Sequence, residues 1–96
     1  MRLGMIGLGR MGGGIARRLM KDGHEIIGYD QDANSVEALS KDGATGVSSL
    51  EEMAEKLDAP RIFWVMLPAG APTEDTIARL AAIAEPGDIV IDGGNT

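Results

Sequence analysis

Gly7, Gly9 and Gly12 form a G-x-G-x-x-G array directly after the apolar run that ends in Met5-Ile6, and Asp30 closes the next apolar run. Each glycine can do separate work if a pyrophosphate is to be held. Gly7 allows a tight turn out of a strand, Gly9 presents no Cβ to a phosphate, and Gly12 lets a following helix pack close to the sheet. Leu8, Arg10 and Met11 fill the positions between them. The helix that opens here would turn free N–H groups and the positive end of its dipole toward the anion. A chain with 14 glycines in 96 residues can produce this spacing by chance. The strand before it, the helix after it and the acid downstream are what give it meaning.

Asp30 lies 18 residues beyond Gly12, where a carboxylate can accept hydrogen bonds from the adenosine ribose of NAD. The same charge would repel the 2′-phosphate of NADP, and its successor Gln31 supplies no cation, so NAD is the expected cofactor. The alternative for Asp30 is a turn-forming acid ahead of Gln31-Asp32-Ala33-Asn34. Arg10 could reach a pyrophosphate oxygen or be a solvated surface residue. Leu67, Pro68 and Ala69 follow the fourth apolar run at the edge where such sheets bind ligands, and a strand-ending turn is the plainer account of them. Asn95, after Gly93-Gly94, could place its amide on a ligand or belong to a glycine-rich turn. His24, beside a helix-ending glycine, reads as a capping or surface residue. No nucleophile–base pair is present, and Ser35, Ser40, Ser48 and Ser49 are accounted for by caps and turns.

These residues must be positioned by alternating elements, the mark of a parallel sheet covered by helices. Residues 2–6 read as the first strand. A helix over 11–22 carries Met11, Ile15 and Leu19 at four-residue spacing, with Gly23 closing it. Glu25–Tyr29 is the second strand, followed by a helix over 34–42 capped by Asn34 or Asp32. A short strand near 45–47 leads to Ser49-Leu50-Glu51-Glu52, a capping box for a helix running to about Leu57. Arg61–Leu67 is the most apolar run, expected as a central strand buried on both faces. A helix over 75–84 has Ile77, Leu80, Ala81 and Ala84 on one stripe, and Asp88–Ile91 is a fifth strand. The methionines read as core filler. The expected fold is α/β, a Rossmann-type doubly wound sheet of about five strands in the order 3-2-1-4-5. It stops before a sixth strand, so residues 1–96 are expected to be the N-terminal part of a dinucleotide-binding domain.

A formal net charge of −6 and scattered basic residues argue against a nucleic-acid partner. The absence of cysteine removes disulfides and thiolate chemistry, and a single histidine without ligand spacing leaves no metal site expected. No apolar run approaches membrane length and the glycine loop leaves no room for a signal peptide, so the cytoplasm is the expected location.

At these motifs the chain resembles the β-hydroxyacid dehydrogenase superfamily. The likeness is strongest to the short, NAD-preferring bacterial form of decarboxylating 6-phosphogluconate dehydrogenase. It rests on Gly7-Leu8-Gly9-Arg10-Met11-Gly12-Gly13, Gly23-His24-Glu25, Gly28-Tyr29-Asp30, Trp64 to Gly70 and Gly87 to Asn95. Asp92-Gly93-Gly94-Asn95 points to the 6-phosphogluconate branch. The resemblance implies that Gly7 to Gly12 bind the pyrophosphate and that Leu67, Pro68 and Ala69 flank the cofactor. It implies that Asn95 contacts both cofactor and substrate. NADP-dependent members typically carry Asn-Arg-Thr where this chain has Asp30-Gln31-Asp32, which again favours NAD. The implied reaction is oxidation of 6-phosphogluconate at C3, then loss of CO2 to give ribulose 5-phosphate in the pentose phosphate pathway. The family's lysine base and glutamate acid match no residue here, so no catalytic residue is expected in this chain. They belong with a helical C-terminal domain that is absent from it, and the full-length protein is expected to be a homo-oligomer. Two alternatives remain. One is a dehydrogenase of the hydroxyisobutyrate or tartronate semialdehyde type, and the other is a non-catalytic NAD-sensing module.

Overall fold

The computed structural model of the chain describes residues 1–67 and 71–93, with backbone alone for 71 and 72. Among the described residues five strands, β1 (Arg2–Ile6), β2 (Glu25–Tyr29), β3 (Thr45–Gly46), β4 (Ile62–Val65) and β5 (Ile89–Asp92), alternate with four helices. These are α1 (Arg10–Lys21), α2 (Ala33–Lys41), α3 (Leu50–Lys56) and α4 (Ala71–Ile83). All strand pairs are parallel, in the order β3-β2-β1-β4-β5. This is the 3-2-1-4-5 order expected from the sequence.

The period of two along each strand sorts side chains onto two faces. Ile6, Ile27, Phe63 and Val65 pack with Leu50, Met53, Ala54 and Leu57 near α3 and with Leu80 of α4. Leu3, Met5 and Ile26 pack with Ala16 of α1 and Leu39 of α2. The sheet is therefore doubly wound, with one helix pair on each face. Asp32 caps α2 through a bond from the Asn34 N–H at 2.9 Å, which decides between the two cap candidates. Ser49 caps α3, accepting from the Glu52 N–H, while Glu52 accepts from the N–H and hydroxyl of Ser48.

Several expectations need correction. Helix α4 begins at Ala71, four residues before the expected start, and Pro72 falls in its first turn, where a missing N–H costs no intrahelical bond. Its buried side is Thr73 and Leu80 with Ile77 and Ile83 half-buried, and Ala81 faces solvent. Met11 is 59% exposed, and α1 instead buries Gly12, Gly13 and Ala16, so small residues bring this helix against the sheet. Met1 is exposed as well. Strand β4 is confined to Ile62–Val65 and is fully buried on the α3/α4 face alone. On the other face Ile62 and Trp64 remain half-buried. There the register sets them beside Ile89 and Ile91, which are exposed.

Strand β5 is a sheet edge with Ile89, Val90 and Ile91 all exposed, and an apolar edge of this kind invites pairing with another chain. The 96-residue chain is expected to self-associate with rising concentration in light scattering. The double substitution Ile89→Lys with Ile91→Lys should suppress this. Strictly monomeric behaviour of the parent chain would contradict it.

Candidate functional site

At the carboxyl end of β1 the chain turns at Gly7, whose φ is +93°. Its N–H donates to the Tyr29 carbonyl at 2.9 Å, which ties the turn to the end of β2. A Cβ at this position would stand 2.6 Å from the Met66 carbonyl oxygen and 3.0 Å from Leu67 Cδ2. Met66 is itself fixed, its N–H donating to the Ile6 carbonyl at 2.7 Å. Gly7 and Leu67 are thus neighbours across the β1–β4 seam, the switch point where a doubly wound sheet opens a ligand crevice.

Gly9 and Gly12 do different work. A Cβ on Gly12 would run into the Gly7 carbonyl oxygen, so the residue sets how closely α1 seats on the turn. A Cβ on Gly9 would meet nothing within 4 Å. The space in front of Gly9 is open, in front of a helix start that carries no side-chain cap and no acid in its first turn. The starts of α2 and α3 are both closed by side chains. The first N–H groups of α1 therefore keep their donors and their positive potential for a ligand. Arg10 and Met11 project from this same turn and are exposed.

Asp30 comes off the end of β2 beside the turn. Its Oδ2 accepts the Leu8 N–H at 2.6 Å, and its Oδ1 accepts the Asp32 N–H at 2.8 Å. The second bond is the turn-forming role that the sequence left open. Each carboxylate oxygen keeps a further lone pair for another donor. A groove of about 480 Å³ opens next to Asp30, lined among others by Tyr29, Gln31, Val36, Val47 and Glu52. That volume falls in the range of small-molecule sites. Among the described residues the lining includes no basic side chain. Hydrogen bonds from the Ser48 N–H and hydroxyl hold the Glu52 carboxyl below the ordinary carboxylate range, and Asp30, Glu37 and Glu52 give the groove an acidic lining.

Among the sequence candidates, Gly7, Leu8, Gly9, Arg10, Met11, Gly12, Asp30 and Leu67 lie together at the carboxyl edge of β2, β1 and β4. Pro68, Ala69 and Asn95 lie outside the described residues. His24 sits at the opposite, amino end of β2. Two features escaped the sequence reading, the Leu8–Asp30 bond and the need for Gly28. A Cβ on Gly28 would be 3.1 Å from Leu39 and 3.2 Å from Leu8. A glycine inside a strand was the available signal for such a close approach. Among the described residues no cluster of His, Cys, Asp or Glu could hold a metal, and no helix is long and apolar enough to cross a membrane.

Sheet order, helices on both faces and a glycine turn at the switch point define a doubly wound dinucleotide-binding fold. A family model described as the NAD binding domain of 6-phosphogluconate dehydrogenase matches residues 2–96. The chain belongs to this family. It is 36% identical, over its whole length, to the NAD(+)-dependent, decarboxylating 6-phosphogluconate dehydrogenase of Haloferax volcanii, of which it covers 32%. Among solved structures, it superposes on Plasmodium falciparum 6-phosphogluconate dehydrogenase with a TM-score of 0.91 at 28% identity. All of this chain and 22% of that one are covered. Mycobacterium tuberculosis 3-hydroxyisobutyrate dehydrogenase gives a TM-score of 0.86 at 25% identity, covering 97% of this chain and 31% of the other. The chain spans at most about a third of the length of the curated relatives it matches.

Proposed function

We propose that residues 1–96 form the NAD-binding portion of a decarboxylating 6-phosphogluconate dehydrogenase, with the reacting acid and base supplied by residues outside this span. The observation that carries this is the open, uncapped start of α1 in front of Gly9, with the Asp30 carboxylate beside it. In this reading the first-turn N–H groups of α1 hold the pyrophosphate, with Gly9 leaving it room and Arg10 adding a cation. Asp30 accepts from the adenosine ribose hydroxyls. Leu67, Pro68 and Ala69 border the cofactor, and Asn95 reaches cofactor and substrate. Bound nicotinamide would supply a hydride acceptor. The chain's own contribution is to bind and orient it at the carboxyl edge of the sheet.

NAD is favoured over NADP because Asp30 is followed by uncharged Gln31 and the adjoining groove offers no cation. Calorimetric titration of the chain should therefore show tighter binding of NAD than of NADP. Tighter binding of NADP by the parent would overturn this assignment. In the double variant Asp30→Ala with Gln31→Arg, the ratio of affinities should move toward NADP. Loss of the charge-assisted ribose bond should weaken NAD by roughly 1.5–3 kcal/mol. Mixed with NAD and 6-phosphogluconate, the 96-residue chain should form no NADH.

A further inference from the structure

We infer that Asp30 is a positioning residue for the pyrophosphate loop as well as a ribose acceptor, acting through the Leu8 N–H. This rests on the dinucleotide reading above and adds a second task for the same carboxylate. Leu8 is held at both ends. The residue is 6% exposed, and its side chain packs in the cluster formed with Leu39, Ala16 and Met5, lying against Gly28. Its N–H donates to Asp30 Oδ2 at 2.6 Å, a short bond of the charge-assisted kind. Leu8 stands directly between Gly7, where the turn is made, and Gly9, which faces the open ligand space.

The carboxylate is also fixed from its own side. Asp32 donates to Oδ1 at 2.8 Å, and the Asp32 side chain in turn caps α2 at Asn34. The start of α2, the end of β2 and the turn after β1 therefore form one hydrogen-bonded chain. In this arrangement the Leu8 N–H is consumed inside the protein and is not offered to phosphate. The loop's direction toward the phosphate site depends on Asp30. Replacing the acid to change cofactor preference should accordingly cost affinity for both dinucleotides, beyond the ribose bond.

The two tasks separate with a ligand that lacks the ribose contact. The chain and its Asp30→Ala variant are titrated with NAD and with the NAD analogue whose adenosine ribose is 2′,3′-dideoxy. If Asp30 also positions the loop, the variant loses on the order of tenfold in affinity for the dideoxy analogue, and more for NAD. A ribose contact alone predicts no loss for the analogue, and that result overturns the inference. A second variant keeps Asp30 and replaces the Gly7–Leu8 amide with an ester, which removes the donor and keeps the Leu8 side chain. It should weaken both ligands by similar factors. If Asp30→Ala does not fold, unchanged binding of the analogue by the ester variant overturns the inference. Failure of the parent chain to bind NAD would instead overturn the dinucleotide reading itself.

Discussion

Gly12→Ala is expected to destabilise the chain while Gly14→Ala, two residues along the same helix, stabilises it. By intrinsic propensity both changes should favour α1 by roughly 0.5–1 kcal/mol, since glycine is the poorer helix former. At Gly14 the added methyl meets nothing within 4 Å, so that gain should be realised. At Gly12 the methyl would overlap the Gly7 carbonyl oxygen and lie 3.2 Å from Met66 Cβ. The first of these is backbone, in a turn fixed by the Gly7 N–H bond to Tyr29, and cannot step aside cheaply. Overpacking of this sort costs about 1–3 kcal/mol and outweighs the propensity term. Gly9→Val gives a third outcome. Its backbone (φ −66°, ψ −164°) suits any residue and its Cβ has free space, so the stability loss should stay within about 1 kcal/mol. The valine would nevertheless occupy the space in front of the helix start. Losing two charge-assisted phosphate bonds would weaken NAD roughly 100-fold or more. Chemical denaturation and NAD titration of the three variants check this. Intact NAD binding by Gly9→Val would sink the assignment of that space to pyrophosphate.

The element order was legible because this fold announces itself locally. Short apolar runs, helical spacing between them, and glycines after the first two helices punctuate the chain where the turns fall. Gly23 and Gly43 do adopt positive φ there, as helix-ending glycines should. Contacts that join residues far apart leave no such trace. Nothing near Leu8 indicates that its N–H is taken by a carboxylate 22 positions later. Met11 shows the complementary limit. Its spacing with Ile15 and Leu19 suggested a buried stripe, yet the helix must approach the sheet through Gly12, Gly13 and Ala16 to bring its N-terminus to the switch point. Helix packing distance, set by the smallest residues, overrode the hydrophobic pattern at Met11, while Ile15 and Leu19 pack half-buried against the core. The same approach leaves Met11 exposed beside the candidate cofactor site.

Arg61→Met is expected to lower the melting temperature by about 10 °C or more, although residue 61 lies far from the glycine loop. The expected strand over Arg61–Leu67 would have placed both backbone polar groups of Arg61 in the ladder, but only its carbonyl joins it, accepting the Ile89 N–H at 2.8 Å. The Arg61 N–H donates instead to Asp88 Oδ1 at 2.7 Å and its Nε to Asp88 Oδ2 at 2.9 Å. The Glu85 N–H adds a third bond to Asp88 Oδ2 at 3.0 Å. The guanidinium also donates to the carbonyls of Ala54 and Ile83 and lies 5.9 Å from the centre of the Phe63 ring. One pair thus ties α3, the end of α4 and the starts of β4 and β5 together. The Asp88 side chain is fully buried and that of Arg61 is 12% exposed. Removing the cation therefore strands a charge, which costs far more than losing an exposed ion pair. Hydrogen bonds from the Glu85 and Arg61 N–H groups, with the Arg61 guanidinium, hold the Asp88 carboxyl below the ordinary carboxylate range. A carboxyl whose folded value is depressed stabilises the fold above its ordinary value, near pH 4. That share is lost as pH falls through the depressed value. Glu51 and Glu52 are shifted in the same direction and contribute to the same limb. Thermal unfolding followed by circular dichroism from pH 7 to pH 2 should show a steep acid limb in the parent and a shallower one in Asp88→Asn. Parallel limbs in the two proteins would show that this latch does not govern acid stability.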